Sequence, residues 1–212
     1  MQRLILAAVL SVASLAAHAD EQARNVAPFK GVSVHGPVNL TVEAGKSYSL
    51  KVHGDPRFIE RVTSEVVGGE LRLSMKDSPR NNIDSKDRVV VTVPSLQTFK
   101  GEGAGLLRLV NMRGEQLDVN YRGAGRLAID GEVRELRLRA QGVGEVDTRA
   151  LIARDADVSF EGIGAVHIYA KDKLNANVRG MGNLTYYGNP RVVNKSVSGI
   201  GSVVAVRQDS ER

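Results

Sequence analysis

The residues that could do chemistry in this chain are few and widely separated. Beyond the N-terminal segment there are three histidines, His35, His53 and His167, and none has the spacing of a metal-binding pair. Cysteine is absent, which excludes a thiolate metal site, a cysteine nucleophile and a disulfide framework. A Gly-x-Ser-x-Gly nucleophile motif and a P-loop are absent too. The sequence therefore predicts no metal, no cofactor and no enzymatic activity, and the histidines are interpreted as ordinary surface or turn residues.

Carboxylates offer the alternative of a carbohydrate-active enzyme, which in a β-helix needs such groups on neighbouring coils. The candidates are Glu145, Asp147, Asp155, Asp157 and Glu161. Asp147 and His167 occupy one position in successive repeats, and they could form an acid/base pair or a plain surface contact. Aromatic platforms for a sugar are scarce: Tyr48, Tyr186 and Tyr187 are the plausible ones, and the chain has no tryptophan. An envelope protein that binds lipid or a small ligand is a second alternative.

A repeat in the second half of the chain would position these residues. A Gly-x-Gly tripeptide recurs six times, at steps of 20, 19, 20, 18 and 19 residues. Apolar and polar residues alternate on both sides of each copy, which is typical of half-buried strands. Each repeat therefore predicts a strand, a glycine corner and a second strand. The corner glycines are Gly103, Gly105, Gly123, Gly125, Gly142, Gly144, Gly162, Gly164, Gly180, Gly182, Gly199 and Gly201.

Two all-β folds fit this period, a solenoid of stacked coils and an antiparallel meander of hairpins. A tripeptide corner is longer than the two-residue loop that hairpins prefer. A near-constant period suits coils that must match their neighbours, about 4.8 Å away. The sequence therefore favours the solenoid.

Two rows of side chains follow from such stacking. The residues directly before the corners are all polar and are expected to face outward. Stacking would place Glu102 opposite Arg122 and Glu161 opposite Arg179. The full row is Glu102, Arg122, Gln141, Glu161, Arg179 and Ser198. The residues inside the corners are all apolar: Ala104, Ala124, Val143, Ile163, Met181 and Ile200. Turned inward, they would seal the narrow end of the core. Turned outward, Val143, Ile163, Met181 and Ile200 would form an interface ridge. The sequence leaves both orientations open.

Residues 28–99 are β-rich without the clear period. Strands are predicted over 29–34, 38–42, 48–52 and 88–93, and a hairpin joins 62–66 to 71–75 around Gly68-Gly69. Asp55-Pro56 predicts a helical turn over 57–61. Segments 34–38 and 52–54 are candidate degenerate corners, and residues 76–87 are interpreted as a flexible loop.

Residues 1–19 have the features of a secretory signal peptide. Arg3 precedes an apolar run over 4–17, and Ala17-His18-Ala19 predicts cleavage before Asp20. The alternative is an N-terminal membrane anchor. The protein is therefore expected to be exported to the periplasm or outer cell surface and, after cleavage, not to span a membrane. A net charge of +5 without a dense basic stripe predicts no nucleic-acid partner.

The β-rich first half and the glycine corners resemble a bacterial family of unknown function, the putative autotransporter adhesin head, GIN domain. The resemblance covers residues 28–206, and Phe29-Lys30-Gly31-Val32-Ser33-Val34, Gly69-Glu70-Leu71-Arg72-Leu73 and the six corners carry it. It implies a right-handed parallel β-helix, an envelope location and a role in adhesion. Family members often have serine or another small polar residue inside the corner, whereas these corners hold apolar residues.

The predicted organisation is a signal peptide over 1–19, an N-terminal segment over 20–27, one β-solenoid domain over 28–206 and a polar tail over 207–212. Within the domain, 28–99 is the irregular β part and 100–206 contains the six repeats. The predicted function is that of a noncatalytic adhesin-like or envelope-structural module that acts by surface contact. Its partner is unknown, either the chain itself or a glycan or protein of an envelope or host surface.

Overall fold

A computed structural model of the chain describes residues 20–76 and 86–206. The predicted signal peptide, most of the predicted flexible loop and the polar tail lie outside the described residues. Within the described residues, one short helix accompanies ten strands. The strands are β1 (Asp20–Arg24), β2 (Gly31–His35), β3 (Leu40–Ala44), β4 (Ser49–Gly54), β5 (Val62–Val67), β6 (Glu70–Met75), β7 (Arg88–Val93), β8 (Thr98–Tyr187), β9 (Val192–Gly199) and β10 (Ser202–Ala205), and the helix is α1 (Pro56–Arg61).

β8 is 90 residues long because extended backbone continues through five glycine corners. The last strands pair with it in parallel and at a constant offset of 19 residues. β9 runs from Val192 opposite Lys173 to Gly199 opposite Gly180, and β10 places Ser202 opposite Asn183. Parallel pairing at this offset is what stacked coils require, and an antiparallel meander does not produce it.

The alternating pattern fills one continuous core. Within β8, side chains two residues before the corners, such as Phe160 and Val178, are buried, as are those two residues after them, such as Val146 and Val166. Residues between them face solvent, because successive side chains of a strand point to opposite faces. Each large apolar side chain in this core contributes about 1.5–3 kcal/mol relative to an exposed one.

β2 and β3 extend the stack towards the N-terminus. β2 pairs in parallel with the start of β8, from Gly31 opposite Thr98 to His35 opposite Glu102, and β3 places Leu40 opposite Leu107. Between them, the Gly36 N–H donates to the Glu102 carbonyl at 2.8 Å, and the Val38 N–H donates to the Ala104 carbonyl at 3.1 Å. Residues 34–38 therefore lie on the 101–105 corner, as predicted for a degenerate corner.

Beyond this coil the pairing changes. β6 and β7 add in parallel to β2 and β3, whereas β5, β4 and β1 add antiparallel strands at the margins. The prediction of a corner at 52–54 is wrong, because this segment ends the antiparallel strand β4 and leads into α1.

Local signals in this part of the chain act as predicted. The Asp55 carboxylate accepts a hydrogen bond from the Phe58 N–H at 2.7 Å, and Pro56 opens α1. Gly68 and Gly69 have φ of 59° and 77°, which gives the β5–β6 hairpin a primed turn. No helix in the described ranges is both long and apolar enough to cross a membrane.

Candidate contact surface

The glycine corners bring the backbones of successive coils into direct contact. A Cβ atom at Gly162 would lie 1.9 Å from the Gly142 carbonyl oxygen, and one at Gly164 would lie 1.8 Å from the Gly144 oxygen. Their φ values of 143° and 150° also disfavour other residues. The glycines on both sides of the corner therefore have no room for a side chain, and the middle residue projects away from the stack.

The middle residues form an exposed row that we call the corner ridge: Ala104, Ala124, Val143, Ile163, Met181 and Ile200. The exposed fractions are 55% for Val143, 47% for Ile163, 51% for Met181 and 80% for Ile200. Both alanines are exposed as well. Of the two orientations that the sequence allows, the structure has the outward one. The side chains grow larger towards the C-terminus, so the apolar area is concentrated in the last four coils.

The residues directly before the corners form the polar row, and all six are exposed: Glu102, Arg122, Gln141, Glu161, Arg179 and Ser198. Its hydrogen bonds cross from coil to coil. Arg122 Nε donates to Gln141 Oε1 at 3.1 Å, and Gln141 Nε2 donates to Glu161 Oε2 at 3.3 Å. Glu102 Oε2 lies 3.2 Å from His35 Nδ1. The predicted pairs are Glu102 with Arg122 and Glu161 with Arg179. These hydrogen bonds and this ion pair instead join Arg122 and Glu161 to Gln141, and Glu102 to His35.

A second polar row lies at the edge of a groove. Its residues come two positions before those of the first polar row in each coil. Its members are Lys100, Asn120, Arg139, Ser159, Asn177 and Ser196. Lys100 and Asn120 line the groove together with Ser33, His35, Glu102 and Arg122. This face therefore presents amide, hydroxyl and cationic groups to solvent, which suits hydrogen bonding to a polar partner.

Asp147, the strongest acid/base candidate, is held by two arginines. Arg149 Nη2 lies 2.6 Å from Asp147 Oδ2, Arg149 Nε lies 2.9 Å from Oδ1, and Arg126 Nη2 lies 3.0 Å from Oδ2. The hydrogen bond from Arg149 holds the pKa of Asp147 well below its usual range, and Asp147 in turn raises the pKa of Arg149. An acid stabilised as the carboxylate in this way is poorly suited to accept or deliver a proton.

The contacts argue against the acid/base interpretation of Asp147 and His167, because the side-chain contact of His167 goes to Glu145. His167 Nε2 lies 3.9 Å from Glu145 Oε1, while the His167 carbonyl accepts a hydrogen bond from the buried Thr148 hydroxyl at 2.9 Å. Arg126 also contacts Glu145, at 3.5 Å. This part of the surface is a charge network that joins neighbouring coils. Sequence reasoning misses both arginines, although the period places Arg126 one coil from Glu145.

The other candidates are dispersed. Asp155 is half-buried, Asp157 is exposed and Glu161 belongs to the polar row. His53 Nδ1 lies 3.4 Å from Glu21, and burial lowers the pKa of this histidine. Within residues 20–76 and 86–206, no three His, Asp or Glu side chains are grouped so that they could hold a metal ion.

The tyrosines do not form a shared platform. The Tyr48 ring packs on the buried Phe29 with centroids 5.3 Å apart. Tyr186 is half-buried against the core, and Tyr187 is half-buried on the next residue of the strand.

The structure is that of an all-β protein. Its parallel strands stack in successive coils, which meet at glycine corners and carry the exposed corner ridge. The chain belongs to the family described as putative auto-transporter adhesin, head GIN domain, whose model matches residues 28–190. No curated protein matches it.

Solved structures show the same fold at low sequence identity. A putative adhesin from Bacteroides fragilis is 21% identical with a TM-score of 0.70, over 88% of this chain and 96% of the other. A putative adhesin from Parabacteroides merdae is 15% identical with a TM-score of 0.55, over 89% and 96%. A third, from Parabacteroides distasonis, is 18% identical with a TM-score of 0.53, over 88% and 96%.

Proposed function

We propose that this protein is an exported, noncatalytic adhesin-like or envelope-structural module that acts through its outer surface. The carrying observation is the second polar row with its groove, an uninterrupted polar face on a rigid stack. Membership of a family described as adhesins supports a contact role, and the arginine-held Asp147 supports the absence of catalysis. We further propose that the coils form a right-handed parallel β-helix, for which the parallel register of β9 and β10 on β8 is the support.

The partner in this proposal is a glycan or protein of an envelope or host surface. Asn120 and Arg139 are exposed on the face that carries the groove, where an amide and a guanidinium can bind hydroxyl, carbonyl or carboxylate groups. The face is polar and lacks an aromatic platform, so recognition would depend on hydrogen bonds from several coils together.

Binding of the purified mature protein to a glycan array and to intact envelope fractions tests this function. We expect the double variant Asn120→Ala/Arg139→Ala to lose binding at least tenfold. Arg113→Ala, which alters an exposed residue away from this face, should bind as the unmodified protein does. Absence of binding to every glycan and envelope fraction would contradict the proposal, and cleavage of a bound glycan would replace it with the enzymatic alternative.

Export is part of the proposal. The signal-like composition of residues 1–19 supports it. Mass spectrometry of the periplasmic or secreted protein should therefore find Asp20 at the N-terminus. An intact Met1 end in the membrane fraction would contradict cleavage.

A further inference from the structure

We propose that the corner ridge is the interface of a homodimer in which two copies pack their ridges antiparallel, with Val143 of each copy on the twofold axis. This goes beyond the proposed contact function, because it concerns the corners rather than the second polar row. The proposal rests on two patterns along the stack, one of side-chain size and one of charge, which have the same centre.

The first pattern is the gradient of side-chain size. An antiparallel arrangement centred on Val143 places Ala124 against Ile163 of the second copy and Ala104 against its Met181. Pro37, which stacks on the Ala104 corner through the Val38–Ala104 hydrogen bond, would then face Ile200. On either side of the central Val143 pair, each pair combines a smaller side chain with a larger one, so the separation between the two stacks stays nearly constant.

A parallel arrangement would not have this property. Each residue would then face its own counterpart, with Ile163 against Ile163 at one end and Ala104 against Ala104 at the other. The large pairs would hold the stacks apart and leave a gap at the alanines, which loses packing contacts.

The second pattern is the charge sequence of the polar row. The same twofold axis lays this row antiparallel along the row of the second copy. Glu102 then faces Arg179, Arg122 faces Glu161, and Gln141 faces its own counterpart. Both charged pairs are of opposite sign, and each occurs twice in the dimer, since a twofold interface is self-complementary.

The side chains of the polar row are already ordered for this role. Arg122 and Glu161 are both hydrogen-bonded to Gln141, at 3.1 and 3.3 Å, so the central three residues are held in place before association. Less side-chain freedom is then lost on binding. This charge complementarity, together with the exposed apolar area of Val143, Ile163, Met181 and Ile200, identifies a second copy as the occupant. One ridge with its flanking row is a small interface, so we expect a weak dimer that forms with rising concentration.

Charge exchange tests the predicted pairs. We expect Glu102→Arg and Arg179→Glu each to be monomeric in sedimentation velocity at concentrations where the unmodified protein dimerises. An equimolar mixture of these two variants should dimerise again, because both pairs regain opposite charge. Arg113→Glu, a reversal away from the ridge, should dimerise normally. A mixture that stays monomeric, or an unmodified protein that is monomeric at every concentration, would overturn the proposal.

Cysteine cross-linking tests the position of the axis, because the chain has no cysteine of its own. After mild oxidation, Val143→Cys should form a disulfide-linked dimer, whereas Met181→Cys alone should not. A mixture of Ala104→Cys and Met181→Cys should give the mixed dimer. Cross-linking of Met181→Cys to itself as fast as Val143→Cys would overturn the antiparallel arrangement.

Circular dichroism spectra and thermal unfolding check that the variants fold. Glycan and envelope binding by the folded monomeric variant Arg179→Glu separates the two proposals, because this variant changes neither the second polar row nor a residue that lines the groove. A variant that no longer dimerises but still binds glycan or envelope bears on the dimer proposal alone. A variant that still dimerises but no longer binds bears on the proposed function alone.

Discussion

The two ends of the coil stack stop in different ways. At the N-terminal end, antiparallel strands and a helix cover the last parallel coil: β4 and β1 extend one side, β5 extends the other, and α1 buries Phe58. At the C-terminal end, β9 pairs only with β8 among the described residues, and its outer edge has no partner strand there. An unpaired parallel edge invites association with other strands.

The C-terminal edge is protected by the position of one charge. Val193, Lys195 and Val197 lie opposite Leu174, Ala176 and Val178, all of which are buried. Lys195 therefore occupies a core-facing position in the last coil, where another coil would have to bury its ammonium group. Because burial of an unpaired charge is costly, we expect Lys195 to disfavour the addition of a further strand. Among the described residues, the first end of the stack is thus covered by added strands and a helix, whereas the other end carries Lys195 at a core-facing position.

The largest expected effect concerns the backbone contact between coils at the glycine corners. Gly162→Ala would place a Cβ atom against the Gly142 carbonyl, and we expect it to reduce the free energy of unfolding by at least about 3 kcal/mol. Gly114→Ala is the matched control, because its φ is similar, at 147°, but nothing lies within 4 Å of the added Cβ. Urea unfolding of both variants separates the effect of backbone strain from that of the close contact between coils. Equal losses in the free energy of unfolding for the two variants would contradict the role of stacking.

A smaller effect concerns the charge network that joins the coils. The folded pKa of Asp147 is lowered, so its contribution to stability is present above the unfolded pKa of about 4 and is lost as pH falls through the folded value. Asp147→Asn should cost about 1 kcal/mol at pH 7, since Arg149 is partly exposed, and should flatten the loss of stability below pH 4. Thermal unfolding from pH 7 to pH 2 measures this, with Asp157→Asn as the control. Parallel pH curves for Asp147→Asn and the unmodified protein would contradict the assignment.

The N-terminal part depends on local signals, and the loss of stability there should be no larger. Asp55→Ala removes the N-cap of α1 and is expected to cost about 1 kcal/mol, because the Phe58 N–H loses its acceptor. Asp55→Ser restores a capping oxygen and should recover most of the stability. Failure of serine to recover any stability would show that the carboxylate has another role.

The smallest effect on stability should come from the C-terminal end. Lys195→Val is expected to change the free energy of unfolding by less than about 0.5 kcal/mol, because the side chain is exposed. It should nevertheless increase association, since it removes the charge that protects the edge. Light scattering during concentration measures this, and Lys173→Val, elsewhere on an exposed position, is the control. Equal scattering by both variants would contradict the protective role of Lys195.

The sequence predicts the coils better than it predicts their ends, for a physical reason. In the coils, each strand meets a copy of its own pattern one repeat away, so glycine spacing and alternation determine which residues meet. In the N-terminal part, β1 and β4 pair through contacts between dissimilar segments, which no period encodes. Local signals such as Asp55-Pro56 and Gly68-Gly69 act over a few residues and are read correctly.

The sequence pattern also does not predict which side chains contact one another on the surface. The period places Asp147 one coil from His167, but its carboxylate is bound by Arg149, two residues further along the same strand, and by Arg126 from the preceding coil. The orientation of the corner ridge could not be chosen from alternation, because a corner interrupts it. The close approach of backbones at the glycines decides it, and this is a property of the stack rather than of one repeat.

Methionine oxidation tests the outward orientation of the corner ridge most directly, and it needs no substitution. Met181 is 51% exposed, whereas Met75 is 5% and Met112 0% exposed. In dilute protein treated with peroxide, peptide mass spectrometry should find sulfoxide at Met181 first, with Met75 and Met112 protected until the chain unfolds. Met181 protected to the same degree as Met112 in the monomer would contradict the outward ridge.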